Sequence, residues 1–161
     1  MKAHKKEHIF TNQKEGYVID IDDNLKFDLL TDVDSIFFEL NSVCELMTNL
    51  FCELYSNIGK PVKRKKAGIK IKQVIEAAGK PADWSQKLVS HRNFSIHEGA
   101  PYFAIDISQG PGKYDLLIMR ENIKCFKDDS KFIKLSEINS IVEGFSVAKQ
   151  IIQKHLIELY E

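Results

Sequence analysis

The sequence lacks long apolar runs and has few cysteines, and each shortage excludes a class of protein. No stretch approaches the roughly 18 uninterrupted apolar residues that a membrane-spanning helix needs. The lysines near the amino terminus are not followed by the apolar segment of a signal peptide. The three cysteines lack metal-ligand spacing, and their odd number favours reduced thiols. We therefore expect a cytoplasmic protein without a membrane partner, a bound metal or another cofactor.

Acidic residues, by contrast, are missing from one stretch and concentrated in another, although the net charge is zero. From Glu15 to Asp34 the chain has seven acidic residues and one lysine, whereas from Lys60 to Lys72 it has seven basic and no acidic residues. Residues 60–68 show no apolar periodicity and have turn residues at both ends, which predicts a basic loop. Its candidate nucleic-acid contacts are Lys63, Arg64, Lys65 and Lys66. Without interleaved aromatic residues they would attract the phosphate backbone regardless of sequence, and a solvated loop is the alternative.

The spacing of apolar residues predicts a mainly helical fold. Residues 17–30 alternate apolar and polar positions around an acidic centre, which predicts an amino-terminal β-hairpin. A long helix then runs from Asp32 or Asp34 to about Asn57, because apolar residues recur there at steps of three and four. Its predicted core stripe is Ile36, Leu40, Val43, Met47, Leu50, Leu54 and Ile58, with Phe37, Cys44 and Phe51 beside it.

Three further helices are expected at residues 69–78, 81–97 and 136–160. Between the last two, the β-rich runs 102–107 and 114–119 flank a glycine-proline turn, so the insertion 102–127 should contain a second hairpin and a short strand near residues 123–127. Together these elements predict a single domain over residues 1–161. Its centre would be an antiparallel four-helix-type bundle over residues 32–160, with one or two appended β-hairpins.

The end of the third predicted helix holds the residues best suited to chemistry, Arg92, Asn93 and His97. Arginine is a permanent cation that binds phosphate through parallel hydrogen bonds, and histidine gains and loses protons near neutral pH. On an ideal helix Arg92 and His97 point about 140° apart, so their convergence needs a bent arginine or an unwound last turn. The plain alternative makes Arg92 a surface ion-pair residue and His97 a helix-end histidine placed favourably on the helix dipole.

The segment His91 to His97 resembles the signature of the HEPN superfamily, in which an arginine, a polar neighbour and then a histidine lie late in a helix of a small bundle. The order of long, short, motif and closing helices is similar too. The predicted first helix contains no lysine, so the acidic-to-lysine pair of some HEPN members has no match there. The resemblance implies metal-independent RNA cleavage by ribose 2′-hydroxyl attack, with His97 as proton carrier and Arg92 on the phosphate. Asn93 would either donate a hydrogen bond to the same phosphoryl oxygens or fix the tautomer of His97.

The same resemblance implies a homodimer that completes the site with a second motif. It also implies a toxin-antitoxin or phage-defence setting, in which an antitoxin or nucleotidyltransferase is a further partner. The alternative is a non-catalytic HEPN-like bundle that binds nucleic acid, a nucleotide or a partner protein.

Overall fold

The computed structural model describes residues 9–12, 16–20, 23–97, 102–106, 112–119 and 132–161. In this part of the chain there are four helices and five strands, so the prediction of a mainly helical fold is confirmed. The helices are α1 (Asp23–Asn57), α2 (Arg64–Ala77), α3 (Trp84–His97) and α4 (Leu135–Glu158). The strands are β1 (Ile9–Asn12), β2 (Gly16–Asp20), β3 (Tyr102–Asp106), β4 (Asp115–Met119) and β5 (Phe132–Lys134).

The chain divides into two compact units. The first comprises Met1–Asp34 and Asn93–Asn139, and the second comprises Ser35–Arg92 and Ser140–Glu161. The boundaries fall inside helices rather than in linkers. A single domain and an antiparallel four-helix bundle both stay predictions.

The first unit contains the sheet. Its five strands are antiparallel and lie in the order β1-β2-β3-β4-β5. The pairing of β3 with β4 confirms the second predicted hairpin, with Asp106 opposite Asp115. Helix α4 begins at Leu135, one residue before Ser136, and the Ser136 hydroxyl donates a hydrogen bond to Asp115 Oδ2 at 2.9 Å. Among the sheet residues whose burial is described, all of them in β3, β4 and β5, the buried side chains are Phe103, Ala104, Leu117, Ile118, Phe132 and Ile133.

The predicted hairpin at residues 17–30 is wrong beyond Asp20. Strand β2 pairs with β1 and β3, and residues 23–30 form the first turns of α1. Leu25 and Phe27 are 48% and 71% exposed, so their alternation does not mark the buried face of a strand. The strand predicted near residues 123–127 lies outside the described residues.

Only part of the wide apolar surface predicted for α1 faces the core. Val43 and Leu50, from the predicted stripe, are 42% and 50% exposed, whereas Phe37 and Phe51 are 1% and 0% exposed. Apolar spacing gives the period of a helix but does not say which side of a wide apolar surface faces the core. Burying the phenyl rings removes more apolar area from water than burying Val43 or Leu50, which favours the observed orientation.

Two glycines end the helices on either side of the basic segment. Gly59 and Gly79, which follow α1 and α2, both have φ of +73°, a conformation that glycine adopts without steric cost. In each case the next residue donates its N–H back to the helix, Lys60 to the Tyr55 carbonyl at 3.0 Å and Lys80 to the Ile75 carbonyl at 3.2 Å. These bonds are typical of Schellman helix ends and fix the backbone position of Lys60.

A close approach between α3 and α4 holds the amino-terminal part of α3. The Trp84 ring meets Phe145 edge to face, with ring centroids 5.8 Å apart and planes at 77°. A Cβ atom added at Gly144 would lie 2.6 Å from Trp84 Cγ, so only glycine fits beside this ring. The indole Nε1 is buried without a hydrogen-bond partner in the described part of the chain. Packing, rather than hydrogen bonding, therefore seats Trp84.

Candidate functional site

The rotation of α3 is set by one buried face in the second unit. Trp84, Leu88 and His91 recur at steps of four and three, and they are 6%, 2% and 5% exposed. The His91 ring lies 5.6 Å from that of Phe37, with the planes tilted by 34°. His91 is therefore a packing residue, and its burial places the adjacent Arg92 at the margin of the core.

Arg92 is half-buried, and its Nε atom is fully buried without a hydrogen-bond partner among the residues that the structure describes. No described carboxylate forms an ion pair with it either, so the surface ion pair considered as its plain alternative is not found there. Burying part of a permanent cation without a counter-charge is costly. An anion that bonds the guanidinium offsets this cost, and phosphate matches its geometry.

The other two motif residues are less fully defined. Asn93 is exposed, and the side chain of His97 lies outside the described residues. The backbone is helical through His97, so the last turn of α3 does not unwind within that range. On a continuous helix Arg92 and His97 leave the axis about 140° apart. The backbone of α3 alone therefore does not direct both side chains to one face.

The basic segment is partly helical, which corrects the predicted loop at residues 60–68. Helix α2 begins at Arg64, so Arg64, Lys65 and Lys66 form its first turn, and Lys63 is its N-cap. Lys63 makes no side-chain capping bond, and the first turn contains no acidic residue. Cations at a helix N-terminus oppose the helix dipole, so residues 63–66 carry none of the usual sequence signals of a helix start. The positive charge of this turn is not compensated locally.

Four lysines from this region line one cavity of about 720 Å³, which we call the lysine cavity. Its full lining is Tyr55, Lys60, Pro61, Val62, Lys63, Lys66, Ile69, Lys70 and Gln73. Of the four predicted contacts, the structure thus brings Lys63 and Lys66 together, whereas Arg64 and Lys65 are not part of the lining. Sequence reasoning missed Lys60 and Lys70. The spacing of Lys63, Lys66 and Lys70 would have indicated a shared helix face had this segment been recognised as helical.

Behind the lysine cavity, Tyr55 is held by a partner on α4. The Tyr55 hydroxyl and His155 Nε2 are 2.7 Å apart, and both rings stack near Phe51. Burial raises the pKa of the Tyr55 phenol above its ordinary value of 10.0. Neutral tyrosine therefore persists at physiological pH, and its hydroxyl is the hydrogen-bond partner of the half-buried His155 ring.

Reactive cysteines, groups of metal ligands and membrane-spanning helices are the other features by which the described residues would indicate a function. Cys44 and Cys52 are half-buried free thiols, and Cys125 lies outside the described residues. Burial, with Glu45 nearby, raises the pKa of Cys44 to about 11, which leaves negligible thiolate at neutral pH. Within the described ranges no three histidine, cysteine or carboxylate side chains are grouped as metal ligands. No helix in those ranges is long and apolar enough to cross a membrane.

No family model, curated protein or solved structure matches this chain. The HEPN resemblance therefore rests on the motif residues Arg92, Asn93 and His97 and on the order of the helices. The structure changes one of its details, because α1 begins at Asp23 and so includes a lysine, Lys26. HEPN membership stays a proposal.

Proposed function

We propose that this protein is a HEPN-like, metal-independent endoribonuclease. Arg92 and His97 are its catalytic residues, and Asn93 assists at the phosphate. The observation that carries the proposal is the half-buried Arg92, whose buried Nε has no hydrogen-bond partner in the described part of the chain. Such a group binds an anion better than it stabilises the fold, because the fold supplies no counter-charge.

The reaction follows from the chemistry of the three side chains. Neutral His97 takes the proton of a ribose 2′-hydroxyl, and the 2′-oxygen forms a bond to the adjacent phosphorus. Arg92 and Asn93 donate hydrogen bonds to the phosphoryl oxygens, on which negative charge grows. The bond from phosphorus to the 5′-oxygen then breaks, and that oxygen takes a proton. The products are a 2′,3′-cyclic phosphate and a 5′-hydroxyl.

A homodimer belongs to this proposal. One motif supplies one histidine, but full acid–base catalysis uses one proton acceptor and one proton donor, and a second copy would bring another histidine. Helix α1 exposes apolar side chains along the second unit, including Val43, Leu46 and Leu50 at 42%, 68% and 50%. An exposed apolar stripe of this kind suits contact with another protein surface.

RNA is the proposed substrate, and a toxin or phage-defence role with a restraining antitoxin is the proposed setting. The setting comes from the HEPN resemblance. RNA is also favoured by the uncompensated basic charge at the start of α2, where Lys63, Arg64, Lys65 and Lys66 lie. The competing proposal is a non-catalytic protein that binds RNA through the same basic residues.

Cleavage of labelled RNA in EDTA tests the catalytic proposal directly. We expect wild type to produce cyclic-phosphate ends, and Arg92→Ala and His97→Ala each to lower the rate by at least about 100-fold. Gln86→Ala is the matched control, because Gln86 is an exposed residue of the same helix. It should cleave like wild type. Equal rates for all variants, or no cleavage of varied RNAs by wild type, would refute the catalytic claim.

A further inference from the structure

We propose that the lysine cavity is a discrete binding site for clustered phosphate groups, which an RNA strand supplies. The cavity is built only from the second unit, by the end of α1 and the first turns of α2. The choice of RNA as the source of the phosphates rests on the proposed function. The phosphate site itself rests on the cavity.

The charges in the lysine cavity are unusually one-sided. Lys60, Lys63, Lys66 and Lys70 line it, and no carboxylate among the described residues lines it or pairs with them. Outside the cavity on the same helix the pattern is different, since Lys72 Nζ lies 3.7 Å from Glu76 Oε1, four residues further along α2. The chain therefore neutralises a lysine outside the cavity but leaves the four inside it for an external anion. Phosphate is a suitable anion, since its ionised oxygens accept strong, charge-assisted hydrogen bonds from lysine.

Backbone geometry gathers these lysines from two directions. Lys63, Lys66 and Lys70 recur at steps of three and four on α2, which places them along one helix face. Lys60 arrives from the end of α1, where its N–H bonds the Tyr55 carbonyl after the turn at Gly59. Convergence from two elements distinguishes the lysine cavity from an ordinary charged helix face.

The shape of the cavity suits a strand better than an enclosed small molecule. Its volume of about 720 Å³ falls in the range of ligand sites, and all four lysines are exposed, so both ends of a bound chain can continue into solvent. Pro61, Val62 and Ile69 give it an apolar side that can contact a sugar or base. The Gln73 amide adds an uncharged donor for a phosphate oxygen. Contact of this kind is independent of base sequence.

A charge-matched pair of double variants tests whether the cavity, rather than general surface charge, binds phosphate. Lys63→Gln with Lys66→Gln removes two cations from the lining, and Lys72→Gln with Lys80→Gln removes two exposed cations of the same unit that do not line it. The probe is fluorescent 2′-O-methyl RNA, which lacks the hydroxyl needed for cleavage. We expect the first pair to weaken binding at least about tenfold and to flatten the salt slope by about 1.4. The control pair should weaken binding less than about threefold.

Equal losses from the two pairs would overturn the proposal, because they would show diffuse attraction. Competition identifies the ligand chemistry: inorganic tripolyphosphate should displace the RNA from wild type, and polyglutamate of similar charge should not. Equal displacement by polyglutamate would overturn the assignment to phosphate. Direct binding of tripolyphosphate without binding of RNA would keep the phosphate site and make a free oligophosphate its ligand.

The outcome is separable from that of the proposed nuclease. If wild type binds the methylated RNA through the lysine cavity but cleaves no RNA, the cavity proposal stands and the catalytic one fails. If RNA is cleaved in a manner dependent on Arg92 and His97 while the two double variants bind RNA alike, the catalytic proposal stands and the cavity proposal fails.

Discussion

The second unit has a packed side and an open side, which differ in whether the fold itself supplies partners for their side chains. On the packed side, side chains are held by other parts of the unit: the Tyr55 hydroxyl lies within hydrogen-bond distance of His155 Nε2, and the Trp84 ring packs against Gly144. On the open side, Arg92 and the lysines of the lysine cavity have no carboxylate partners among the described residues. Tyr55 belongs to both sides, because it lines the lysine cavity while its hydroxyl is hydrogen-bonded to His155. The difference separates groups that stabilise the fold from groups that can bind a ligand.

The largest stability effect should come from the packed side, at Gly144. Gly144→Ala places a methyl group against Trp84 Cγ, so we expect the free energy of unfolding to fall by about 1–3 kcal/mol. Gly68→Ala in α2 is the control, because a Cβ there meets nothing within 4 Å. That change should raise stability by about 0.5–1 kcal/mol through helix propensity. Denaturant unfolding measures both, and an unchanged stability for Gly144→Ala would show that α3 and α4 can move apart at no cost.

A smaller loss is expected when the tyrosine–histidine bond is removed. Tyr55→Phe deletes the hydroxyl that bonds His155, which should lower the free energy of unfolding by about 1 kcal/mol. Tyr114→Phe is the control, since Tyr114 is 62% exposed, and it should change stability by less than about 0.5 kcal/mol. Equal effects of the two substitutions would contradict a structural role for the pair.

The same tyrosine predicts a loss of stability in alkali. Its folded-state pKa lies above the ordinary value of 10.0, so the unfolded chain releases this proton first. The contribution of Tyr55 is therefore fully present below pH 10.0 and is lost as the pH rises through the folded-state pKa. The stability difference between wild type and Tyr55→Phe should shrink over that range, and a difference that is constant with pH would rule out the burial effect.

The smallest stability effect should come from the open side. Arg92→Gln removes a cation that has no described partner, so the free energy of unfolding should change by less than about 0.5 kcal/mol. In the proposed nuclease the same substitution abolishes most activity, which separates catalytic from structural importance. A loss of more than about 2 kcal/mol would instead assign Arg92 to the packed side.

Sequence patterns predicted most helices because their apolar residues recur at a helical period. The closing helix was expected at residues 136–160 and is found at Leu135–Glu158, and the motif helix ends at His97 as expected. The start of α1 could not be predicted, because Leu25 and Phe27 alternate as in a strand but face solvent. The start of α2 could not be predicted either, because its first turn is basic and has neither an acidic residue nor a capping side chain.

For the candidate site, the residues with suitable chemistry could be predicted from the sequence, but their burial and their neighbours in the fold could not. Arg92 was identified from its spacing to His97, yet its partial burial depends on His91 and Trp84 being packed against residues far away in the chain. The lysine cavity likewise depends on the turn at Gly59, which brings Lys60 toward α2. Neither environment is encoded in a local pattern.

The order of the strands has a consequence for how the chain is made. Strands β2 and β3 are hydrogen-bonded neighbours, yet α1, α2 and α3 lie between them in the sequence. During synthesis β2 therefore leaves the ribosome with an unpaired edge and waits for three helices before its partner exists. An unpaired edge is a template for pairing with another chain. The nascent amino-terminal hairpin is thus open to misassembly during the interval in which the three helices are synthesised.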